Sequence, residues 1–301
     1  MIIDRIKIYC RAGAGGSGCS SSLCLSSTRM IGGGGDGGDG GNVVLQVSGH
    51  PYDLSVFRGK KKFVAQVGGR GGQNNKKGAN AKDLILNVPK GTLVRDLEEN
   101  IIFDLTEKDK FLLCSGGRGG EGNYKKNYTI PPKYGEEREV TLDYRIPSSV
   151  VIAGLPNSGK TSLFNKLTGK NFKVAEYPFT TTSCIWAKAE RNFKEFTIMD
   201  TPPLKKSKNT SHQANRFLKH FYRAKIILFL SDNIETAEDD FDALEREIAL
   251  FDESFLEAKK LFYLLSKVDK IDKVNQKNII PISAQKGNGI EDLKEKILEN
   301  L

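Results

Sequence analysis

The sequence predicts two domains of different fold class: an all-β, glycine-rich domain over residues 1–147, and an α/β domain with a mainly parallel sheet over residues 148–301. Of the 31 glycines, 26 lie before residue 148 and five after it. Short strand patterns fill the first part, whereas strand and helix patterns alternate in the second. A chain of 301 residues is long enough for two domains of about 100–200 residues each.

The first domain alternates strands with glycine tracts. Period-two or short β-branched patterns predict strands at residues 4–10, 42–47, 61–67, 83–89, 100–106, 110–116 and 139–146. The glycine tracts are residues 12–18, 32–41, 68–72 and 116–122. Glycine at this density allows extended chains to lie side by side, because no side chain separates them. A flexible low-complexity linker would have a similar composition, but the embedded strands favour a folded domain.

The second domain alternates strands with helices. Apolar runs predict strands at residues 150–156, 195–200, 225–232, 260–269 and 278–284. Helical periodicity predicts helices at residues 160–167, 212–224, 239–251 and 290–301. This alternation is typical of a mainly parallel sheet with helices on both faces.

The segment GLPNSGKT, residues 154–161, fits the phosphate-loop pattern G-x-x-x-x-G-K-[ST] between a predicted strand and a predicted helix. Its glycines allow backbone N–H groups to surround phosphates, and we expect Lys160 to bridge the β and γ phosphates as a catalytic residue. Thr161 supplies a hydroxyl to Mg²⁺. The predicted nucleotide contacts here are Gly154, Pro156, Asn157, Ser158, Gly159, Lys160, Thr161 and Ser162.

The segment SKVD, residues 266–269, follows an apolar pattern typical of a buried strand, and we expect it to determine which nucleotide base the site accepts. Asp269 can accept two hydrogen bonds from guanine, from N1–H and from the exocyclic amine, and adenine offers no such pair. GTP is therefore favoured over ATP. The predicted base-side residues are Ser266, Lys267, Asp269, Ser283 and Ala284, with the Ala284 N–H directed at guanine O6.

The segment IMDTPPL, residues 198–204, predicts the sensor of the last phosphate. Asp200 would hold Mg²⁺ through a water, and a threonine from residues 177–183 would reach the metal. The position of Pro203 normally carries glycine, whose N–H points at the γ-phosphate, and proline has no N–H. Losing one charge-assisted bond, worth about 1.5–3 kcal/mol, predicts nucleotide binding that survives with a weakened switch.

The chain is basic, with a net charge of +9. Residues 1–147 hold 22 Lys+Arg against 16 Asp+Glu, and the rest hold 24 against 21. This balance favours an anionic partner such as RNA, although a solvated lysine-rich surface would give the same numbers. The five cysteines form no C-x-x-C pair, and the three histidines show no metal-ligand spacing. The apolar runs are too short for a membrane span.

Together these motifs resemble the Obg family of GTPases over nearly the full length. YCRAGAGGSG (residues 9–18) and CSGGRGGEGN (114–123) are similar to that family's glycine-rich domain, and GLPNSGKTS and YPFTTT to its GTPase domain. The resemblance implies that Thr181 is the loop threonine that meets Mg²⁺ and takes part in catalysis. Phe179, Thr180 and Thr182 would line the same loop.

The resemblance also implies a role in assembly of the large ribosomal subunit, with the glycine-rich loop tips on rRNA near the peptidyl transferase centre. We expect phosphate contacts from basic residues at or beside predicted loop tips and from a second cluster. These residues are Arg70, Lys76, Lys77, Arg118, Lys125 and Lys126, and in the second cluster Lys60, Lys61 and Lys62. A solvated surface charge is the alternative for each.

Several departures from the family pattern leave two functions open. Pro203 replaces glycine, and no glycine occurs between Gly169 and Gly287, where the family's second switch is glycine-rich. Ser266 replaces asparagine, which predicts the loss of a hydrogen bond near guanine N7 and of a brace on the phosphate loop. The sequence also ends without the small third domain of many bacterial members, as in a short form. One hypothesis is a slow GTPase assembly factor, and the other is a scaffold with vestigial hydrolysis that binds guanine nucleotide and rRNA. We expect a monomer in an organelle matrix, with the mitochondrion favoured and the bacterial cytoplasm as the alternative.

Overall fold

A computed structural model describes residues 3–26, 29–49, 53–169, 175–179, 182–204, 216–252, 254–257, 259–270 and 278–301. The chain divides into two compact units, one ending at Tyr144 and the other spanning Arg145–Leu301. This division lies a few residues before the boundary predicted after residue 147. No helix among the described residues combines the length and apolar character that a membrane crossing requires.

The described part of the first unit consists of strands, one 3-10 turn (Ser55–Phe57) and extended segments. The strands are β1 (Arg5–Arg11), β2 (Ser22–Ser26), β3 (Arg29–Gly32), β4 (Val43–Val47), β5 (Lys62–Val64), β6 (Leu84–Val88), β7 (Thr92–Arg95), β8 (Ile101–Asp104), β9 (Lys110–Cys114) and β10 (Glu137–Tyr144). Within the described residues they form sheets in the orders β5-β1-β10-β7-β8 and β6-β4-β9, and a β2-β3 hairpin.

The core of the first unit follows from the period-two pattern of its strands. In β1 the buried side chains are Ile6, Ile8 and Cys10, and in β4 they include Val43 and Leu45. Because successive side chains of a strand point to opposite faces, every second residue reaches the interior. β1 pairs antiparallel with β10 and parallel with β5, which places it inside its sheet.

The glycine tracts form extended segments joined by backbone hydrogen bonds. The Gly16 N–H donates to the Gly38 carbonyl at 2.8 Å, and the Gly38 N–H donates to the Gly69 carbonyl at 2.8 Å. A Cβ atom built on Gly16 would lie 2.0 Å from the Gly69 oxygen, and one on Gly37 would lie 1.9 Å from the Gly16 oxygen. Glycine is therefore required here because the neighbouring backbone occupies the space of a side chain.

Side chains spaced three residues apart fasten one of these segments to another. Each accepts a hydrogen bond of 2.8 Å from a glycine N–H: Asp36 from Gly122, Asp39 from Gly119, and Asn42 from Gly116. Both segments repeat every three residues, as expected of extended helices with three residues per turn. These carboxylate and amide oxygens satisfy glycine N–H groups that would otherwise lack an acceptor.

The second unit contains the predicted alternation of strands and helices. Its elements are β11 (Val150–Gly154), α1 (Lys160–Thr168), β12 (Ala175–Phe179), β13 (Thr182–Arg191), β14 (Lys194–Asp200), β15 (Ile226–Ser231), α2 (Ala237–Phe251), α3 (Ser254–Glu257), β16 (Lys260–Leu265), β17 (Ile279–Pro281) and α4 (Ile290–Glu299). The sheet order over the described strands is β12-β13-β14-β11-β15-β16-β17. In this order, the neighbouring strands β14, β11, β15, β16 and β17 pair in parallel. The β12–β13 and β13–β14 pairs are antiparallel.

The sheet brings the carboxyl ends of its parallel strands to one edge, where ligands bind in folds of this type. β11 is buried throughout, and α1 packs Leu163, Phe164 and Leu167 against the sheet. The loop after β11 and the residues that follow β14 and β16 therefore meet at this edge.

Strands β2, β3, β7, β12 and β13 were not predicted, and several predicted elements differ in extent from the structure. Residues 212–215 of the predicted helix lie outside the described residues, and Arg216–Arg223 form a 3-10 helix. The last predicted strand is limited to Ile279–Pro281. It ends early because the chain turns back: the Gly287 N–H donates to the Ser283 carbonyl at 2.7 Å.

Candidate nucleotide-binding site

The loop between β11 and α1 has the backbone conformation that its glycines allow. Gly159 has a φ of 94° and Asn157 a φ of 64°, both in the left-handed region. A Cβ atom on Gly154 would lie 2.7 Å from the Leu230 oxygen. The loop therefore curls tightly ahead of the N-terminus of α1, as a phosphate-binding loop does.

Lys160 is buried inside this loop. Its Nζ donates to the Leu155 carbonyl at 2.7 Å, and burial lowers the pKa of its ammonium group. The carboxylates of Asp200 and Asp232 act in the opposite direction. An ammonium group held in this way is placed to receive phosphate oxygens entering the loop.

Thr161 and Asp200 meet across the site. The Thr161 hydroxyl donates to Asp200 Oδ2 at 2.6 Å, while Asp200 Oδ1 is buried without a hydrogen-bond partner among the described residues. Burial raises the pKa of Asp200, although the Thr161 bond and Lys160 act against it. A hydroxyl beside an unpartnered carboxylate oxygen is a ligand set that suits a hard cation such as Mg²⁺.

A cavity of about 720 Å³ opens at this edge of the sheet. It is lined by Pro156, Asn157, Gly159, Lys160, Thr161, Ser162, Ile185, Asp200, Thr201, Pro202, Pro203 and Lys267. The structure thus brings together most of the predicted phosphate-side residues. Ile185, Thr201 and Pro202 were not predicted to line the site. Thr201 and Pro202 directly follow Asp200, so their place in the cavity lining could have been inferred from the sequence. Ile185 lies on β13, and no sequence motif marked it as a site residue.

A second cavity of about 170 Å³ lies on the base side. Its lining residues are Gly159, Ser162, Leu163, Ser266, Lys267, Asp269, Ile282, Ala284 and Gln285. It shares Gly159, Ser162 and Lys267 with the larger cavity, so the two are contiguous. Ser283 is buried, and its hydroxyl donates a hydrogen bond to Asp269 Oδ1 at 2.6 Å. This bond fixes the orientation of the Asp269 carboxylate.

Lys267 connects the base side to the phosphate loop. Its backbone is left-handed, with a φ of 59°, and its Nζ donates to the Asn157 carbonyl at 2.8 Å. The same ammonium group pairs with Asp232 at 2.5 Å. Asp232 was not predicted as part of the site, although it directly follows β15 and so lies at the same sheet edge.

The prediction that Ser266 gives up a brace on the phosphate loop is wrong. The Ser266 hydroxyl is buried and donates to the Ser158 carbonyl at 2.6 Å. Ser158 is itself buried, and its hydroxyl donates to the Leu155 carbonyl at 3.0 Å. The short side chain suffices because the end of β16 lies close to the loop.

Residues 201–204, the described residues that directly follow Asp200, offer no free backbone N–H to the cavity. Pro202 and Pro203 have none, and the Leu204 N–H donates to the Gly154 carbonyl at 3.3 Å. The Thr201 N–H interacts with the Asp200 carboxylate and acts to lower its pKa, and the Thr201 hydroxyl donates to the Ile152 carbonyl at 2.7 Å. The segment is thus fastened to β11 at both ends, and each of its backbone donors is missing or already engaged.

Two residues of the loop predicted to carry the metal-binding threonine, Thr180 and Thr181, lie outside the described residues. Phe179 is the last residue of β12, and its backbone is paired with that of Thr182 on β13.

In the first unit, the predicted RNA-binding residues lie at two levels of the glycine-rich segments. Lys76, Lys125 and Lys126 lie on turns at one end, where the Gly72 N–H donates to the Lys76 carbonyl and the Lys125 N–H donates to the Gly32 carbonyl. Lys126 pairs with Glu121 at 2.6 Å, and this hydrogen bond raises the pKa of Lys126.

Lys77 is exposed and directly follows Lys76 at the same turn. The other basic residues lie farther from the turns. The chain runs from Lys60, Lys61 and Lys62 along a glycine-rich segment to the turn of residues 72–76, so these three lysines lie at the opposite end of that segment. The Lys60 and Lys62 ammonium groups lie 5.4 Å and 5.5 Å from the ring centres of Phe63 and Tyr9. Arg70 and Arg118 are exposed between the two levels.

Comparison with known proteins places this architecture in a family. A family model described as GTP1/OBG matches residues 3–145, and one described as a 50S ribosome-binding GTPase matches residues 149–267. The GTPase Obg of Thermodesulfovibrio yellowstonii is 34% identical over 332 aligned positions, covering 99% of this chain and 97% of the relative. The chain belongs to the Obg family of GTPases. The predicted order, an Obg N-terminal domain followed by a P-loop GTPase domain, is confirmed.

A second Obg relative gives the same result. The GTPase Obg of Karelsulcia muelleri is 36% identical and covers 92% of this chain and 88% of its own length. Both relatives are bacterial. Among solved structures, the G domain of the T. maritima FeoB iron transporter is 25% identical over 51% of this chain and 98% of its own, with a TM-score of 0.40. This Obg-family chain is a GTPase, and guanine nucleotide is the ligand that its family implies.

Proposed function

We propose that this GTPase is an assembly factor for the large ribosomal subunit that binds GTP and GDP with Mg²⁺ and hydrolyses GTP slowly. One observation carries the proposal: the phosphate loop and the base side are fully assembled, whereas residues 201–204 leave no N–H for the γ-phosphate. Nucleotide binding and γ-phosphate sensing are therefore separated within one pocket.

The binding half of the proposal rests on buried, oriented groups. Lys160 stands inside the loop, Lys267 joins the loop to the base side, and Ser283 orients Asp269. A carboxylate that accepts two hydrogen bonds from guanine makes the site selective for that base. These groups contact the base and the β-phosphate, which GTP and GDP share, so the site binds both nucleotides; Lys160 also reaches the γ-phosphate of GTP.

Thr161 and Asp200 would hold Mg²⁺, and we propose Thr181 as a further ligand from the adjoining loop. The bound ion supplies positive charge that neutralises the phosphate oxygens. Thr161 and Asp200 are already in contact before any ligand enters. The chain therefore presents a prepared hydroxyl and carboxylate rather than two mobile side chains.

Slow hydrolysis follows from what surrounds the γ-phosphate position. Pro203 removes one charge-assisted donor, and Leu204 is apolar and 1% exposed, so its side chain cannot orient a water molecule. The missing donor is worth about 1.5–3 kcal/mol, or about tenfold to a hundredfold in GTP-over-GDP discrimination. Help from the ribosomal particle would be needed for fast turnover.

The proposed action on the large ribosomal subunit is supported by the positive charge of the first unit and by membership of the Obg family. The first unit carries exposed cations at the turns of its glycine-rich segments, and cations position a protein on phosphates. The matched family model is described as a 50S ribosome-binding GTPase. Because the relatives named above are bacterial, we place the protein in a bacterial cytoplasm. The mitochondrial matrix expected from the sequence has no support from them.

GTP turnover with and without purified large-subunit particles tests this function. We expect slow turnover by the protein alone and a clear acceleration by the particles. Lys160→Ala is the control, because it removes the phosphate-binding ammonium group and leaves the first unit unchanged. If particles accelerate the wild type no more than Lys160→Ala, the assembly-GTPase proposal fails and a nucleotide-stabilised scaffold is the remaining function.

A further inference from the structure

The hairpin between β13 and β14 carries an unusual turn. Arg191 pairs with Lys194, so only Asn192 and Phe193 form the loop. Their φ angles are 51° and 62°, both in the left-handed region. Two-residue hairpin loops with positive φ at both positions favour Asn followed by Gly. Asn192 fits this rule, and Phe193 stands at the position where glycine is preferred.

Phe193 is costly at this position in two ways. A bulky side chain disfavours the left-handed backbone, and the ring is 97% exposed. Glycine would remove both costs without disturbing any packing, because so exposed a ring buries almost nothing. Backbone strain of this kind is retained at functional sites, which makes the Phe193 ring a candidate ligand contact.

A cationic cavity adjoins the same hairpin. It has a volume of about 340 Å³ and is lined by Lys166, Leu167, Thr168, Gly169, Glu190, Arg191, Asn192 and Lys294. Three of these side chains are cationic, and Arg191 and Lys294 are held in place, with side chains only 20% and 15% exposed. Arg191 Nη1 is buried without a hydrogen-bond partner among the described residues.

The carboxylates near these cations are weak competitors for a ligand. Arg191 lies 3.9 Å from Glu291 and 3.3 Å from Glu295, and Lys294 lies 3.0 Å from Glu291. The side chains of Glu291 and Glu295 are 64% and 57% exposed, and the exposed Glu190 is the acidic residue of the cavity lining. Because these carboxylates lie in solvent, they can be exchanged for another anion. Lys166 forms no ion pair with a described residue, so its charge also remains available.

An aromatic platform beside a cationic cavity is the arrangement that binds single-stranded nucleic acid, through base stacking and phosphate contacts. We propose that Phe193 and this cavity bind one nucleotide of single-stranded RNA, with the base on the Phe193 ring and the phosphate toward Lys166, Arg191 and Lys294. The cations favour RNA over an apolar protein pocket as the partner of the ring.

This site is separate from the GTP pocket. β14 runs from the hairpin to Asp200 over seven residues, so the two sites lie about 20 Å apart at opposite ends of one strand. The inference goes beyond the proposed function, which assigns RNA binding to the first unit, and it rests on the proposed role on rRNA.

Photocrosslinking tests the site directly. The full-length protein is irradiated with an eight-nucleotide single-stranded RNA containing 4-thiouridine, and crosslinked peptides are mapped by mass spectrometry. We expect a crosslink on the hairpin peptide in the wild type and at least a fivefold loss of its yield in Phe193→Gly. Leu250→Ala, which removes another exposed apolar side chain (71% exposed) from the same unit, should leave the yield unchanged.

Thermal unfolding excludes damage to the fold as the cause. Because glycine suits the turn, Phe193→Gly should raise the melting temperature, by about 2–4 °C. A variant that is more stable and binds RNA less well has lost a ligand contact. Equal hairpin crosslinking in wild type and Phe193→Gly would overturn the inference. So would a loss of particle binding in Phe193→Gly with no RNA crosslink to the hairpin, which would identify a protein partner.

The triple variant Lys76→Ala, Lys125→Ala, Lys126→Ala separates this inference from the proposed function. We expect it to lose crosslinks in the first unit and keep the one at the hairpin. If first-unit crosslinks depend on those lysines while the hairpin has none, the proposed function stands and the inference fails. If the hairpin alone is crosslinked, the inference stands and RNA binding by the first unit fails.

Discussion

The two sides of the nucleotide pocket use their backbone groups in opposite ways. On one side, the loop after β11 turns through Asn157 and Gly159 with left-handed backbone, and Lys160 stands at its centre. On the other side, residues 201–204 are tied back to β11, and their N–H groups are absent or engaged. The first side can still bind a ligand, whereas the second is already bonded within the protein.

This difference indicates that nucleotide binding and γ-phosphate sensing can be lost separately. In the proposed function, Lys160, Lys267 and Asp269 hold the β-phosphate and the base, and none of their contacts involves Pro203. Recognition of the γ-phosphate needs, besides Lys160, a backbone donor that residues 201–204 do not offer. Substitutions on the first side should therefore reduce binding of both nucleotides, and substitutions on the second should change the preference between them.

The largest effect is expected for Lys160→Ala. Removing an ammonium group from the phosphate loop should weaken GDP binding by about tenfold to a hundredfold, since a bond to a charged group contributes about 1.5–3 kcal/mol, and should weaken GTP-analogue binding at least as much because Lys160 also reaches the γ-phosphate. Fluorescent-nucleotide titration measures this. Lys166→Ala, which removes an exposed charge later in the same helix, should bind as the wild type does. A selective loss of only one nucleotide would contradict the comparison.

Asp269→Asn should change recognition of the base and leave the phosphate contacts unchanged. An amide cannot accept both guanine hydrogen bonds, so we expect about a hundredfold weaker GDP binding. Xanthine carries a carbonyl where guanine carries its amine, so XDP binding should improve. Ser283→Ala provides a graded control, because it removes only the hydroxyl that orients Asp269 and should cost about fivefold. Unchanged preference for GDP over XDP in Asp269→Asn would show that the base lies elsewhere.

Asp200→Asn should have a smaller effect, which is a change in the free energy of unfolding. Burial raises the pKa of Asp200, so the folded protein binds its proton more tightly than the unfolded chain does. The ionised carboxylate therefore costs stability at neutral pH, and the cost disappears as pH falls to the unfolded value of about 3.9. Without Mg²⁺, the variant should be more stable by about 1 kcal/mol at pH 7 and equal near pH 4.

Urea denaturation at several pH values measures this difference. Mg²⁺ should stabilise the nucleotide-bound wild type and have no such effect on Asp200→Asn, because the amide is a poor ligand for a hard cation. A variant that is less stable than the wild type at pH 7 without Mg²⁺ would show that the carboxylate has partners beyond Thr161, Lys160 and the Thr201 N–H.

The sequence was sufficient where a local pattern fixes local geometry. Gly154, Gly159 and Lys160 could be placed because the motif, its preceding strand and its following helix all agree. The side-chain ladder of Asp36, Asp39 and Asn42 was not predicted, although its spacing of three in the glycine tract is a visible signal. Period-two and period-3.6 searches miss an extended helix with three residues per turn.

Other features depended on contacts between distant segments, which no periodicity reports. The bond from Leu204 to Gly154 and the pairing of Lys267 with Asp232 join separate strand ends. Ser266 illustrates the same point: serine in place of the family's asparagine predicted a lost brace, whereas the strand end lies close enough to the loop for the serine hydroxyl to form it.

The central claim is that, with Pro203, the pocket binds GDP and GTP with nearly equal affinity. The most direct test measures affinities for GDP and a non-hydrolysable GTP analogue, with Mg²⁺, for wild type, Pro203→Gly and Pro203→Ala. Both variants restore an N–H at this position, and alanine does so without the flexibility of glycine. Pro202→Ala is the control, since it adds an N–H at the neighbouring position.

We predict that the wild type binds the two nucleotides within about threefold, and that both variants at 203 prefer the analogue by about tenfold to a hundredfold. Pro202→Ala should resemble the wild type. A clear preference for the analogue in the wild type, unchanged in Pro203→Gly and Pro203→Ala, would contradict the account and show that other groups sense the last phosphate.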